Sequence, residues 1–162
     1  MRTITLKTTV LTTMLMMMVS AFATVGWADS GSFNMHYTKN NPIPVGDKEG
    51  HIIYLGEAHG TAKGGWKDGG KVLNRDYVDI IKGNGTHQGY ITVTRSGDKE
   101  VTKWSGKVNT TMNEDGTPNT TFAGNWVTVY GTGDFEQHVG KGGRYEGYFT
   151  SPTDYVVEWQ NE

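Results

Sequence analysis

At 162 residues, the chain can bury one hydrophobic core, and a second domain does not fit beside it. The formal charge is −2, from 15 basic and 17 acidic residues, so no excess of positive charge points to nucleic acid as a partner. With no cysteine, the chain cannot form a disulfide, and its core alone must hold the fold together.

The first 28 residues have the layout of a secretory signal peptide. Arg2 and Lys7 precede an apolar, methionine-rich run over 10–25, and the small residues Gly26 and Ala28 follow it. The run of about 15 residues is shorter than the roughly 20 that span a bilayer, so no transmembrane anchor is expected. We expect cleavage after Ala28, with 21–23 as the alternative site, and export to the periplasm or the extracellular space. Cleavage would leave a charge of 13 − 17 = −4.

The remaining chain is rich in glycine, threonine, tyrosine and valine, a composition typical of strands and tight turns. Residues 29–50 contain two prolines and are predicted to form an N-terminal arm, followed by one β-barrel domain over 51–162. Glycine-rich turns and turns with Asp or Pro divide that domain into short segments. Strands are predicted at 51–58, 72–82, 88–95, 100–112, 120–130, 134–138, 144–150 and 154–160.

Two stretches of this domain need a further argument. In 72–82, Leu73, Tyr77 and Ile80 also fit one face of a helix, but the many β-branched and aromatic residues and the flanking glycines favour a strand. The glycine-rich stretch 60–70 is predicted to be a mobile loop.

Eight strands without a helix to cover an edge favour a closed sheet, because an open sheet would expose two pairing edges. The predicted fold class is therefore all-β, a small antiparallel eight-stranded β-barrel. The interior of such a barrel is either filled by its own side chains or keeps room for one small ligand.

Several glycine and aromatic motifs carry a resemblance to a known group of proteins. They are GHIIYLGE at 50–57, GNGTHQGY at 83–90, WSGKV at 104–108, and GTGDF at 131–135 followed by GRYEG at 143–147. From about Ile43 onward the chain resembles bacterial exported proteins of the allene oxide cyclase barrel-like type, which are distantly related in fold to plant dirigent proteins. The resemblance implies a dirigent-like β-barrel. Because related plant barrels assemble as trimers, it also leaves room for an oligomer. It assigns no catalytic residue.

Glu57 and His59 are the candidates for catalysis. They stand two apart on a predicted strand, so their side chains share one face. Facing an apolar interior, a carboxyl group has its pKa raised by burial, which suits proton transfer near neutral pH. We favour the alternative, that both side chains lie in water at the barrel mouth, because charged groups are rarely buried.

Four aromatic residues are candidates for ligand binding: Trp66, Tyr90, Trp104 and Tyr145. In a small barrel without disulfides, large aromatic side chains more often form the core itself, and we favour that interpretation. Trp66 is the exception. It lies in the glycine-rich stretch and is a candidate for a lid over a ligand.

The glycine motifs at 131–133 and 140–143 lack the Lys-Ser/Thr ending of a phosphate-binding loop, so hairpin turns explain them better. We predict that Gly133 and Gly143 occupy turn positions, with a positive φ or a close approach to another backbone. The other histidines show no ligand spacing, so neither a metal nor another cofactor is expected.

Three functions fit these features. The leading hypothesis is a non-catalytic barrel that binds a small apolar or aromatic ligand, or a partner surface. The alternative is a cyclase or isomerase acting on a ligand held in the barrel. The third is a structural oligomer. The barrel interior discriminates among them, because an open cavity with an ionisable wall favours the enzyme and a filled interior removes both ligand hypotheses.

Overall fold

Eight antiparallel strands close into a barrel in the computed structural model, which describes residues 29–162. The strands are β1 (Ser30–Pro44), β2 (His51–Lys63), β3 (Lys71–Ile81), β4 (Asn84–Arg95), β5 (Asp98–Met112), β6 (Pro118–Gly131), β7 (Gly142–Phe149) and β8 (Asp154–Asn161). Two short 3₁₀ helices, Gly65–Lys67 and Gly133–His138, lie between strands. The signal peptide predicted for residues 1–28 falls outside the described residues.

Each strand pairs with the next, and β1 closes the barrel by pairing with β8 from Ser30 opposite Gln160 to His36 opposite Asp154. The predicted all-β, eight-stranded antiparallel barrel is therefore confirmed. No helix within residues 29–162 has the length and apolar character needed to cross a membrane.

The predicted N-terminal arm is wrong, because most of residues 29–50 form strand β1. Phe33, Met35 and Tyr37 alternate along it and point into the core. Pro42 and Pro44 are tolerated because the pairing with β8 ends at His36, so beyond it β1 pairs only with β2. A proline without an N–H is acceptable on such a free edge.

The strand predicted at 134–138 is also wrong, because this segment is the 3₁₀ helix Gly133–His138. Phe135 is fully buried, and polar neighbours on either side of it stay in water. The predicted loop at 60–70 is shorter than expected, since β2 continues to Lys63. Two errors thus cancel, and the total of eight strands is correct although one member differs.

Aromatic rings and glycines share the barrel interior. A Cβ atom on Gly147 would overlap the ring of Phe122, and one on Gly106 would come within about 2.5 Å of the Tyr145 hydroxyl. Large rings on some strands therefore need glycine on the facing strands. This pairing explains why the chain combines many aromatic residues with 23 glycines.

Candidate functional site

An internal cavity of about 60 Å³ remains between the rings of the barrel core. Most of its wall is apolar, and its lining includes the rings of Tyr37, Tyr54, Trp104, Phe122, Phe149 and Tyr155. A single water needs roughly 10–15 Å³ of such space, so the cavity has room for a few water molecules or one very small ligand.

The cavity approaches the surface at one end of the barrel. Three lining residues are only half-buried, namely Tyr54, Val108 and Phe149. All three lie toward the end that carries the β1–β2, β3–β4, β5–β6 and β7–β8 hairpins. We call this the open end, and the opposite end, which carries both 3₁₀ helices, the closed end.

A buried ion pair seals the closed end. Lys67 Nζ lies 2.5 Å from Glu100 Oε1, and the two residues are 2 % and 0 % exposed. The Glu100 carboxylate also accepts hydrogen bonds from the Thr128 and Thr102 hydroxyls, at 2.5 and 3.2 Å, and from Trp66 Nε1, at 3.0 Å. Burial raises the pKa of Glu100, but the Lys67 charge and these donors outweigh burial, and the pKa ends below its usual value.

Trp66 belongs to this seal, and the structure places it away from the open end, where a lid over the cavity entrance would lie. Its ring stacks on His138 with centroids 4.3 Å apart. Lys67 Nζ lies 5.2 to 5.4 Å from the ring centroids of Trp66, Trp126 and Trp159, within the range of a cation–π attraction. The segment predicted to be a mobile loop thus carries Trp66 and Lys67, two of the side chains that fill the closed end of the barrel.

A carboxyl group stands in the cavity wall at Asp76, which is 5 % exposed. Its Oδ2 atom accepts hydrogen bonds from the Tyr37 hydroxyl at 2.5 Å and from Asn74 Nδ2 at 3.4 Å. Trp104 Nε1 donates to Asn74 Oδ1 at 3.1 Å, which orients the amide so that Nδ2 also reaches the Tyr155 hydroxyl at 3.1 Å. One carboxyl, one amide and two phenols thus form a connected polar group inside an aromatic wall.

The other oxygen of this carboxyl, Asp76 Oδ1, is buried without a hydrogen-bond partner. The Gly56 backbone faces the carboxyl but makes no hydrogen bond of normal geometry with Oδ1, and a Cβ atom at position 56 would overlap it. Burial raises the pKa of Asp76, and the bond from Tyr37, the nearby Gly56 backbone and the bond from Asn74 only partly oppose that rise.

A histidine lines the same cavity, closer than Asp76 to the β3–β4 hairpin of the open end. His87 is buried, and its Nε2 atom lies 3.0 Å from the Tyr145 hydroxyl. Burial lowers the pKa of His87 to about 4, because an imidazolium ion is poorly solvated there. The ring is therefore neutral at physiological pH.

We expect an NMR titration of the imidazole signals to find His87 neutral down to about pH 4. Because the pKa of His87 is lower in the folded state, its contribution to stability is fully present above about 6.5 and is lost as pH falls toward 4. The slope is at most about 1.4 kcal/mol per pH unit. His87→Gln removes this part of the slope and serves as the control. Titration of His87 near 6.5 would contradict the placement of the ring.

The sequence candidates divide between the inside and the outside of the barrel. Trp104 and Tyr145 line the cavity. Tyr90 is 50 % exposed on the outer face, between Gly89 and Ile91, whose positions face inward.

Glu57 and His59 also lie on the outer face, with His59 Nε2 3.5 Å from Glu57 Oε1. The Lys39 and Arg75 side chains reach the Glu57 carboxylate at 3.2 and 3.0 Å and hold its pKa below the usual value. The favoured interpretation put both side chains in water at the barrel mouth. They lie on the outer face within strand β2 instead, where the side chain of His59 is 56 % exposed and that of Glu57 is 18 % exposed. Neither side chain faces the interior, as the acid–base interpretation required.

Five residues of the cavity and of the closed end were not predicted as site residues from the sequence: Lys67, Asn74, Asp76, His87 and Glu100. A signal for two of them was present in β3, where Val72, Asn74, Asp76 and Val78 share one parity. Valines on that parity indicate the inner face, so a carboxyl and an amide between them indicate a polar group in the core.

Among residues 29–162, no three His, Cys, Asp or Glu side chains come together in a group that could hold a metal ion. Comparison of the chain with models of protein families, with curated proteins and with solved structures found no match.

Proposed function

We propose that this barrel binds a small, mainly apolar or aromatic molecule in its interior, entering through the open end. The observation that carries the proposal is the cavity itself. Its wall is mainly aromatic, the closed end of the barrel shuts it on one side, and a cluster of hydrogen-bonded polar side chains around Asp76 lies in its wall. Concave, mostly apolar cavities with a few convergent polar groups are the usual form of small-molecule sites. An eight-stranded barrel is also the size that holds one small ligand.

The cavity volume limits the ligand. Drug-sized ligands occupy pockets of roughly 300–1,000 Å³, and benzene fits an engineered cavity of about 150 Å³. At about 60 Å³, this cavity accepts a ring only if Tyr54 or Phe149 rotates outward. Both are half-buried at the open end, so water can replace the contacts that they lose.

We expect toluene, benzyl alcohol or benzylamine to shift the NMR signals of cavity residues such as Ile91 and Val157. Val108→Trp fills the entrance and is expected to weaken that binding at least tenfold, a change of about 1.4 kcal/mol. Val129→Trp is the matched control, because Val129 is 45 % exposed on the outer face of the next strand. Circular dichroism checks that both variants fold. Binding that survives Val108→Trp, or no binding of any of the three probes to the wild-type protein, would overturn the proposal.

A cyclase or isomerase is the second candidate function, and Asp76 favours it. A carboxyl group whose pKa is raised by burial, beside the Tyr37 hydroxyl, is suited to move a proton on a bound ligand. If the barrel converts a bound ligand, Asp76→Asn is expected to abolish the conversion of that ligand and to leave toluene binding unchanged. Unchanged turnover in Asp76→Asn would remove this candidate.

Membership of the allene oxide cyclase barrel-like group, export and self-association are further parts of the proposal. The closed barrel of eight antiparallel strands supports the first. Native mass spectrometry of the protein expressed with residues 1–162 tests the other two. It reports whether the mature chain starts at Asp29, how many copies assemble and whether a small molecule copurifies. If the exported protein has the mass of a chain that still begins at Met1, cleavage after Ala28 is contradicted.

A further inference from the structure

The ionisable side chains that line the cavity include one carboxyl group whose charge no neighbouring side chain neutralises, that of Asp76. Lys67 is neutralised by Glu100, with 2.5 Å between the charged atoms. His87 is neutral because burial lowers its pKa to about 4. The tyrosines of the wall are neutral too, and burial raises the pKa of Tyr54 to about 12. Asp76 is therefore the remaining lining group that can carry a charge.

Asp76 has no cation of its own in the described part of the chain. The ion pairs of residues 29–162 join other carboxylates, on the outer face, at the strand ends or at the closed end. Tyr37 and Asn74 both donate to Oδ2, while Oδ1 has no partner. The buried carboxylate thus lacks a neighbouring positive charge, and one of its two oxygens lacks a hydrogen-bond donor.

The surroundings of Asp76 suit a cation. The Tyr37 and Tyr155 rings lie 5.1 Å apart beside the carboxyl, and Tyr54 stands in the same wall toward the open end. The π faces of aromatic rings attract ammonium groups, and this attraction strengthens where water is excluded. Charge and ring chemistry thus favour the same kind of ligand group.

We propose that the ligand is a small aromatic or aliphatic amine, bound as its ammonium ion with Asp76 as counter-ion and the tyrosine rings around it. This inference rests on the proposed function, because it assigns a ligand class to the same cavity. The ammonium group donates to the Asp76 carboxylate after a small rotation of the carboxyl toward the cavity. The apolar part of the ligand lies among the rings toward the open end.

Benzylamine, benzyl alcohol and toluene form a test series, because they match in size and differ in charge and hydrogen bonding. We expect benzylamine to bind the wild-type protein at pH 7 at least about tenfold more tightly than the other two, as charge-assisted hydrogen bonds allow. Butylamine and butanol repeat the comparison with a narrower ligand. Titration calorimetry measures the affinities, and NMR shifts locate the site.

Asp76→Asn keeps the shape of the side chain and removes its charge, so it is expected to abolish the preference for benzylamine while toluene still binds. Glu57→Gln is the matched control, because it removes a carboxylate from the outer face and is expected to keep the preference. The wild-type protein gives a second test that needs no variant. Its affinity for benzylamine is expected to fall as acid protonates Asp76, while its affinity for toluene stays constant over the pH range in which the barrel remains folded.

The outcomes separate this inference from the proposed function. Equal binding of all three probes would overturn the amine assignment and keep the cavity as a binding site. Tighter binding of benzyl alcohol than of benzylamine would also overturn it, because a protonated Asp76 would then be hydrogen-bonding a neutral ligand. If none of the probes binds, both proposals fall. A preference for benzylamine that survives Asp76→Asn would place the cation elsewhere and overturn the assignment.

Discussion

Replacing Lys67 with methionine is expected to lower the free energy of unfolding by about 3–5 kcal/mol, the usual cost of removing one partner of a buried ion pair. The variant leaves the Glu100 carboxylate, which is 0 % exposed, in the closed end of the barrel without a neighbouring cation. Urea denaturation at pH 7 measures the change.

The pH dependence of Lys67→Met identifies the cause of the loss. In the wild-type protein, the pKa of Glu100 is held below its usual 4.5, so its contribution to stability is present above that value and is lost as pH falls through the folded pKa. Without Lys67, burial raises the pKa of Glu100 above the unfolded value. The variant is then expected to gain stability relative to the wild type as pH falls from 7 toward 4.5.

Two further variants serve as controls for this result. Lys67→Met combined with Glu100→Gln removes both charges and is expected to recover much of the lost stability. Lys39→Met breaks the ion pair with Glu57, in which Lys39 is 66 % exposed, and is expected to cost less than about 1 kcal/mol. If Lys67→Met lowers the free energy of unfolding no more than Lys39→Met does, the buried ion pair does not stabilise the closed end of the barrel.

Gly143→Val is expected to cost at least about 1–3 kcal/mol, although valine normally favours strands. A Cβ atom at position 143 would overlap the Gln160 carbonyl oxygen, and that atom is backbone in the paired strand β8. Gly133→Val is expected to cost more than about 1 kcal/mol, because residue 133 has a φ of 52° and its Cβ would meet the Asp98 carboxylate. The positive φ of Gly133 and the close backbone approach of Gly143 are as predicted, but Gly143 lies in strand β7 and not in a turn.

Thermal and urea unfolding measure the effect of both glycine variants. Gly140→Asn is the control, because φ is 85° there, nothing lies within 4 Å of a Cβ atom, and asparagine tolerates this conformation. It is expected to melt close to the wild type. If Gly143→Val and Gly133→Val also melt like the wild type, the structural role assigned to these glycines is wrong.

The barrel could be predicted from the sequence because its local signals agree with one another. In β3, the helical stripe of Leu73 and Tyr77 competes with the alternation of valine, asparagine and aspartate, and the sheet pairing on both sides selects the strand. The strand β1 was missed because Pro42 and Pro44 suggest an irregular segment. Only the register shows that they lie where β1 has a single neighbour.

The cavity was harder to predict because apolar residues do not mark the inward-facing side of every strand. On β2, Ile53 and Leu55 share one face with Glu57, and two apolar residues on a face ordinarily indicate the inner one. Leu55 is 62 % exposed, and the inner face carries Gly56 and Ala58. The small inner residues make room for rings from other strands, and such a fit depends on contacts distant in sequence. Asp76 was missed for a related reason, since a carboxyl inside a core is rare.

The pairing of β1 with β8 also determines when the molecule can fold. His36 and Asp154 form a hydrogen bond at the end of this ladder and are 118 residues apart in the chain. A chain leaving the ribosome presents β1 long before β8 has been synthesised, so the ring of strands cannot be completed during most of translation. Until then β1 lacks one neighbour, and its free edge can pair with another chain. Closure is therefore a late event in the life of each molecule, and its long-range contacts place the barrel among slowly folding topologies.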